Sequence, residues 1–156
     1  MKTLEQAKSE GVLENEIYNA DCLKIMKLMK DKSVDLVLTD PPYGVTQNEW
    51  DNTVDLSQLF RIGKVVIMTS QQPFTSEVVV KYKDYFKYDL IWEKTLATGF
   101  LNAKKMPLRN HEHILVFYEN PPTYNPQKFR GKKRKAGFGS NGNTTNYGKH
   151  HKVFSE

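Results

Sequence analysis

The sequence predicts an α/β domain built around a largely parallel sheet, and three observations carry this prediction. Apolar runs of strand length recur along the chain, at 34–39, 64–69, 87–92 and 114–118. Near the start, apolar residues at helical spacing lie between two strand candidates, and strand, helix, strand within about two dozen residues is typical of a parallel crossover. After Pro121-Pro122 the apolar content falls, so we expect the core to end near Glu119.

The first strand candidate, 17–20, leads into a predicted helix. Asp21 stands at the position of a helix cap. From Cys22 onward, apolar residues recur at helical spacing with lysines on the other side. The next strand, 34–39, is expected to be buried, and it ends at Pro41-Pro42.

The second half of the domain alternates strands with one further clear helix. Between 51 and 64, only Leu56, Leu59 and Phe60 indicate a helix. We therefore expect the sheet to be thinly covered on that side. A helix is predicted from Pro73 to about Tyr85, because proline is tolerated in the first helical turn. A basic loop, 97–111, separates the last two strands.

Composition and charge narrow the class of protein. The chain has 156 residues, a single cysteine and a net charge of +5. One cysteine excludes an internal disulfide framework, and we expect neither a signal peptide nor a membrane span. The positive charge favours a polyanionic partner, although a solvated charged face is the alternative. The candidate nucleic-acid contacts are Lys104, Lys105, Arg109, Lys132, Lys133, Arg134 and Lys135.

The most informative motif is Asp40-Pro41-Pro42-Tyr43, directly after a predicted strand. Ligands of open α/β sheets bind beyond the carboxyl ends of the strands, so this is where a site is expected. An aromatic amino group is a poor nucleophile, because its lone pair is delocalised into the ring. Two acceptors, one for each N–H, favour the form in which that lone pair is free.

Each residue of the motif suits this chemistry. The Asp40 carboxylate and the Pro41 carbonyl can be the two acceptors. Consecutive prolines hold the backbone rigidly and add no competing N–H donor. Tyr43 offers a flat face on which an extruded base can stack. The alternative is a proline-stiffened turn that only ends a strand.

Asp40-Pro41-Pro42-Tyr43 resembles the catalytic motif of DNA amino-methyltransferases, which methylate adenine-N6 or cytosine-N4 with S-adenosylmethionine. The upstream stretch, 17–36, is similar to the N-terminal segment of the beta-class members. Other stretches resemble the same family, and together they cover residues 17 to about 128: Ser70-Gln71-Gln72-Pro73-Phe74-Thr75, Ile91-Trp92-Glu93-Lys94, Phe100-Leu101-Asn102-Ala103-Lys104-Lys105 and His111-Glu112-His113-Ile114-Leu115-Val116-Phe117-Tyr118.

The resemblance implies a partial Rossmann-like methyltransferase fold and specific residue roles. It implies that Asp40, Pro41, Pro42 and Tyr43 hold the target amine. It also implies that S-adenosylmethionine is bordered by Asp21, Cys22, Asp40 and Pro41. A plain helix cap is the alternative for Asp21, and packing is the alternative for Cys22.

The resemblance also bears on target and partners. An Asp-led motif mostly accompanies adenine in this family, so adenine-N6 is the expected target. Double-stranded DNA is the expected partner, in the cytoplasm of a bacterial or phage-infected cell, and both a homodimer and an accompanying restriction nuclease are left open. No metal site is expected, because His111 and His113 have no second Cys/His pair at zinc-like spacing.

The sequence departs from the family on the cofactor side. Phe138-Gly139-Ser140 lacks the preceding strand and following helix of a glycine-rich cofactor loop. We therefore expect three segments: an N-terminal extension (1–16), an incomplete methyltransferase core (17–119), and a basic Gly/Asn/Lys-rich extension (120–156) that begins a target-recognition region.

Three explanations of this departure stay open. The chain can be a fragment, one half of a split enzyme complemented by a C-terminal polypeptide, or a decayed copy. A decayed copy would act only as a basic DNA-binding module. An RNA-binding protein is a further alternative, but it leaves the Asp-Pro-Pro-Tyr motif unexplained.

Overall fold

The computed structural model describes residues 1–46, 48–49, 51–52 and 54–128, together with the backbone of 143–144 and 148–149. The chain divides into two compact units, Met1–Tyr124 and Asn125–Glu156. In the second unit, Asn143–Thr144 pairs antiparallel with Gly148–Lys149. The segment boundaries predicted at 16 and 119 stay predictions.

Four strands form the sheet of the first unit. They are β1 (Val34–Thr39), β2 (Gly63–Ser70), β3 (Phe86–Thr98) and β4 (Arg109–Tyr118). Their order across the sheet is β1-β2-β4-β3, so β1 and β3 lie at its two edges. A short 3-10 turn, Phe100–Asn102, lies between β3 and β4.

Four short helices accompany the sheet: α1 (Leu4–Glu10), α2 (Cys22–Met26), α3 (Ser57–Ile62) and α4 (Phe74–Lys81). The helix predicted after Asp21 therefore exists but is brief, and the one predicted from Pro73 ends four residues before Tyr85. The strand predicted at 17–20 is wrong, since Tyr18 makes only an isolated parallel bridge to Lys2.

The prediction of a largely parallel sheet is wrong. β1 and β2 are parallel, whereas β4 runs antiparallel to both β2 and β3. Parallel neighbours need a long crossover, and such a crossover joins β1 to β2 through α3. β3 runs in the direction of β1 and β2, but the following strand, β4, inserts between β2 and β3. Of the three pairings in this four-stranded sheet, one is consequently parallel.

One face of the sheet, which we call the covered face, packs against α3 and α4. Its core joins helix residues such as Phe60 and Phe74 to strand residues such as Met68, Leu115 and Phe117. The Phe60 ring stacks on Tyr82 at 3.8 Å and meets the edge of Phe117 at 5.2 Å. Full burial of each such side chain contributes about 1.5–3 kcal/mol relative to exposure.

Two cations join α2 to α3 by exchanging helix caps. The Arg61 guanidinium of α3 donates to the Met26 and Met29 carbonyls, at 2.5 and 2.8 Å. In return, the Lys32 ammonium donates to the carbonyls of Phe60 and Gly63, at 2.9 and 3.1 Å. The Met26 and Phe60 carbonyls belong to the last turns of α2 and α3, where carbonyls lack intrahelical partners, so each helix end is capped by a cation from the other segment.

The opposite side of the sheet, the open face, is lined by Leu36, Val65, Ile67, Tyr88 and Val116. Together with the segment 119–124, these residues bound a groove of about 780 Å³. Leu38, which pairs with Ile67 in the ladder, is 72% exposed. The prediction that strand 34–39 is buried is therefore wrong, because β1 is an edge strand with one uncovered face.

Within the described residues, none of the helices combines the length and the hydropathy needed to cross a bilayer.

Candidate active site

The Asp40-Pro41-Pro42-Tyr43 segment begins where β1 ends. Because β1 and β2 are parallel, their carboxyl ends meet at one edge of the sheet, and Thr39 pairs with Met68. This register brings Thr69 beside Asp40. The Tyr43 hydroxyl lies 2.7 Å from Asp40 Oδ1 and 2.7 Å from Thr69 Oγ1, and Thr69 Oγ1 lies 2.5 Å from Asp40 Oδ1.

The two hydroxyl protons of this oxygen triangle are shared among three contacts. A carboxylate is an acceptor only, so Asp40 Oδ1 accepts from the Tyr43 and Thr69 hydroxyls, and the contact between Tyr43 and Thr69 uses one of the same two protons. Among the described residues, Asp40 Oδ2 has no hydrogen-bond partner, and Asp40 is exposed. One carboxylate oxygen is thus fixed by the protein while the other can accept a hydrogen bond from a ligand.

Tyr43 is half-buried and packs against Phe74 of α4, with 5.3 Å between ring centroids. Burial raises the pKa of the Tyr43 phenol well above its usual value, and the hydrogen bond to Asp40 and the charges of Asp40 and Glu112 act in the same direction. The hydrogen bond with Thr69 acts in the opposite direction. Tyr43 is therefore a neutral donor at physiological pH, and one side of its ring is already occupied by Phe74.

The two prolines stiffen the segment between Asp40 and Tyr43. Pro41 is buried and Pro42 half-buried. Since neither has a backbone N–H and both have a fixed φ, the Pro41 carbonyl sits on a rigid backbone next to the Asp40 carboxylate. The segment offers acceptors in this place and no competing backbone donor.

Asp51 holds the loop that follows the motif. Its Oδ1 accepts hydrogen bonds from the N–H groups of Tyr43 and Gly44, both at 2.8 Å. Its Oδ2 accepts from those of Val45 and Thr46, at 3.0 and 2.6 Å. Hydrogen bonds from the Thr46 side chain and from the backbone of Gly44, Thr46 and Tyr43 lower the pKa of Asp51 to about 2, against a desolvation cost that acts in the opposite direction.

A chain of polar side chains lies beside the Asp40 group. Arg109 Nη1 donates to Gln71 Oε1 at 2.9 Å, and Gln71 Nε2 donates to Glu112 Oε1 at 3.3 Å. Glu112 also forms an ion pair with Lys94. Each polar group in this chain meets a complementary partner, so β2, β3 and β4 are tied together at this edge.

The fold resembles that of M1.HpyAVI. The crystal structure of M1.HpyAVI in complex with SAM matches this chain with a TM-score of 0.53 at 21% sequence identity. The match covers 76% of this chain and 62% of that chain, so this chain spans less than two thirds of the length of M1.HpyAVI. No protein-family model matches the sequence, and no curated protein matches it. The prediction of an α/β fold is confirmed, with a mixed sheet in place of a largely parallel one.

Asp21 and Cys22 take no part in the hydrogen-bonded Asp40 group that the structure describes. Asp21 is the N-cap of α2, where its Oδ1 accepts from the N–H of Leu23 at 2.8 Å. Cys22 is the exposed first residue of that helix. The capping geometry expected for Asp21 is thus present. In the described part of the chain, no hydrogen bond joins either residue to Asp40, Tyr43 or Thr69.

The predicted DNA contacts fall in two places. Lys104 and Lys105 are exposed after the 3-10 turn, and Arg109 is exposed at the start of β4. Arg109 lies at the same sheet edge as the motif through its bond to Gln71. Lys132, Lys133, Arg134 and Lys135 lie outside the described residues, as does the segment Phe138-Gly139-Ser140.

His111 and His113 lie on β4 with 5.6 Å between their ring centroids. His113 Nδ1 is 2.9 Å from Asp89 Oδ2. Together with Gln71, Gln72 and Arg109, the two histidines line a small pocket of about 290 Å³. Over the residues that the structure describes, no group of three or more His, Cys, Asp or Glu side chains could hold a metal ion.

Sequence reasoning assigned no role to Thr69 or Asp51. Thr69 follows from strand register, since a parallel partner of β1 must end beside Asp40. A signal existed in the sequence, because a polar residue closes the apolar run 64–69. Asp51 is eight residues from Tyr43, and nothing in that spacing indicates that a carboxylate would fold back onto four consecutive amides.

Proposed function

We propose that this chain carries the base-binding half of a DNA methyltransferase, which transfers a methyl group from S-adenosylmethionine to the exocyclic amino group of a flipped base. The observation that carries the proposal is Asp40 Oδ2, which has no hydrogen-bond partner among the described residues and lies next to the Pro41 carbonyl at the carboxyl end of β1. The likeness to M1.HpyAVI, a DNA methyltransferase whose structure holds SAM, supports it. We assign the catalytic core to residues 17–119.

The chain's own residues would prepare the amine for reaction. Asp40 Oδ2 and the Pro41 carbonyl accept one N–H each, which favours the pyramidal amine with a free lone pair. The Tyr43 and Thr69 hydroxyls hold Asp40 Oδ1, so the carboxylate cannot rotate away. Asp40 need not be a strong base, because the amino group becomes acidic once it carries the methyl. Tyr43 would contact the base from the side of its ring that Phe74 leaves open.

The chain offers part of a site for S-adenosylmethionine. When bound, this cofactor supplies an electrophilic methyl group on a positively charged sulfur. Asp40, with its exposed carboxylate, and the neighbouring Pro41 would border it. Asp21 would contact its polar groups, since Oδ2 of Asp21 has no partner among the described residues, and Cys22 stands beside it. The carboxylates suit the cationic ligand.

We assign adenine-N6 as the target, on the resemblance of the Asp-led motif. Lys104, Lys105 and Arg109, with 132–135, would contact phosphates and orient the duplex. Such contacts position the protein without reading sequence. Action on DNA would place the chain in the cytoplasm, and its participation in restriction–modification is part of the same proposal.

We assign the open face and the free edge of β1 to a complementing polypeptide. The exposed Leu36 and Leu38 support this, because strands that pair in parallel are ordinarily covered on both faces. The unmatched 38% of M1.HpyAVI supports it further, since 62% of that chain is matched. The complementing polypeptide would add a strand beside β1 and cover the groove. A second copy of this chain is the competing occupant.

The test combines cofactor binding with methyl transfer. Calorimetric titration should show saturable S-adenosylmethionine binding that Asp21→Ala weakens. Asp40→Ala should lower transfer of labelled methyl groups to DNA by at least about 100-fold, as loss of a preorganised group at a reacting centre does. Mass analysis of the product should give N6-methyladenine, and N4-methylcytosine would contradict the assigned target.

Asp84→Ala is the matched control, because Asp84 is an exposed carboxylate in the turn before β3. It should keep full activity. Retention of full activity by Asp40→Ala would overturn the mechanism. If the chain bound no cofactor but bound DNA with a steep salt dependence, the DNA-binding module that does not methylate would replace this proposal.

A further inference from the structure

The loop 43–46 is held in a way that the chemistry of the site does not require. Four consecutive backbone N–H groups, from Tyr43 to Thr46, converge on the single carboxylate of Asp51. Successive amides that point into one concavity usually form an anion-binding nest. In this loop the anion is the chain's own side chain, so the nest is already filled.

The Asp51 side chain is buried, whereas the loop that it binds is exposed. Asp51 is 5% exposed, whereas Gly44, Val45 and Thr46 are all exposed. The loop after Tyr43 therefore has little apolar packing to fix it. Gly44 adopts a φ of 68°, a left-handed conformation that favours glycine and that lets neighbouring amides turn towards one acceptor.

Tyr43 links this anchor to the reacting centre. Its N–H is bound to Asp51 at 2.8 Å, and its hydroxyl, at the far end of the ring, is bound to Asp40 and Thr69. A side chain fixed at both ends keeps its ring in one place. Loss of the backbone anchor would let the ring move, and Oδ1 of Asp40 would then keep only its hydrogen bond from Thr69 among the described contacts.

We infer that Asp51 is a positioning residue, which fixes the Tyr43 ring and through it the Asp40 carboxylate. The part of this inference that concerns rate rests on the proposed methyltransferase function. The part that concerns the place of Tyr43 does not, and the two can be measured separately.

The first measurement uses the full chain without substrate. In Asp51→Asn, an amide nitrogen replaces one carboxylate oxygen, so one pair of loop N–H groups faces a donor instead of an acceptor. Amide exchange followed by NMR should then accelerate by at least about tenfold at the loop amides, while the β2 and β4 amides keep their rates. The ring signals of ¹³C-labelled Tyr43, identified by Tyr43→Phe, should shift.

Asp55→Asn is the matched control. Asp55 is also a hydrogen-bonded carboxylate, but it caps Ser57, with 3.0 Å to the Ser57 N–H, and does not contact the loop. Its replacement should leave the loop amides and the Tyr43 signals unchanged. Asp51→Ala, which removes every acceptor without adding a donor, serves if Asp51→Asn does not fold.

The second measurement is steady-state methylation by an active preparation. Asp51→Asn should lower kcat by at least about tenfold with KM for DNA changed less than about threefold, because orientation at the reacting centre is lost and not DNA contacts. The inference would be overturned if Asp51→Asn left the amide exchange of the loop and the Tyr43 ring signals unchanged. It would also be overturned if the loop amides lost their protection from exchange while kcat stayed the same. If the wild-type chain proved inactive, the proposed function would fail, and the NMR result would still decide the place of Tyr43.

Discussion

The two faces of the sheet are similar in composition but differ in how fully they are buried, since only Val65 and Val116 at the centre of the open face are buried. On the covered face, Met68, Leu115 and Phe117 are fully buried beneath α3 and α4. On the open face, Leu36, Leu38 and Tyr88 are as apolar, yet they stay exposed beside a groove. Alternating apolar residues thus show that both faces are suited to burial. They do not show which segment supplies the cover.

The largest expected effect is a difference in the free energy of unfolding between substitutions on the covered face and on the open face. Phe117→Ala should lower the free energy of unfolding by about 3–5 kcal/mol, because it leaves a cavity among Phe60, Phe86 and the helices. Leu38→Ala, at a position 72% exposed, should change it by less than about 0.5 kcal/mol. Urea unfolding of both variants measures the difference. A comparable loss for Leu38→Ala would mean that the open face is covered in the chain itself.

A second prediction concerns the loop 43–46, which packs beside the covered face through the contact of Tyr43 with Phe74. Hydrogen bonds to the charged Asp51 carboxylate hold this loop, with little apolar contact. A carboxylate whose pKa is lowered in the folded protein contributes stability above its unfolded pKa, and that contribution is lost as the pH falls through the folded pKa. For Asp51 the folded pKa is about 2, and the unfolded value is about 3.9.

The stability advantage of wild type over Asp51→Asn should therefore be complete above about pH 5 and should disappear towards about pH 2. Asp35 and Asp55 also have lowered pKa values, but they are present in both proteins and cancel in the difference. Acid titration of unfolding in both proteins measures it. An advantage independent of pH over this range would show that Asp51 does not act through its charge.

The smallest expected effect on stability comes from a substitution that tests whether the open face binds apolar molecules. Leu38→Lys should change the free energy of unfolding by less than about 0.5 kcal/mol, while lowering the fluorescence of a bound apolar dye. Val80→Lys is the control, because Val80 is as exposed as Leu38 but lies on α4 and not on the open face of the sheet. Equal dye loss in both variants would remove the distinction between the open face and ordinary exposed apolar residues.

The sequence predicted the local features of the fold better than the pairing of its strands. Asp21 could be recognised as a cap, because a cap depends on residues within one turn. The strands at 64–69 and 114–118 were also recognisable, since apolar runs identify a strand wherever it lies. The insertion of β4 between β2 and β3 was not, because apolar runs do not record which neighbour a strand will choose.

The residues of the candidate site also differ in how far the sequence could identify them. Asp40 and Tyr43 were identifiable from a four-residue motif and its place after a strand. Thr69 needs the register of β1 against β2, and Asp51 needs a loop closure that brings four amides onto one side chain. The sequence marks Thr69 only as the polar end of an apolar run, because its partner is set by strand register. It does not indicate the Asp51 contacts, because these depend on where the backbone turns after Pro42.

The exchange of caps between α2 and α3 has a consequence for how this part of the chain opens. The two helices contain five and six residues, and helices that short are unstable alone. Each one's terminal carbonyls are satisfied by a cation from beside the other, Arg61 in one direction and Lys32 in the return direction. Unwinding α3 would remove the Arg61 cap from α2, and displacing the segment that carries Lys32 would remove the cap from α3. We therefore expect the chain before β1 and the chain before β2 to open as one cooperative unit.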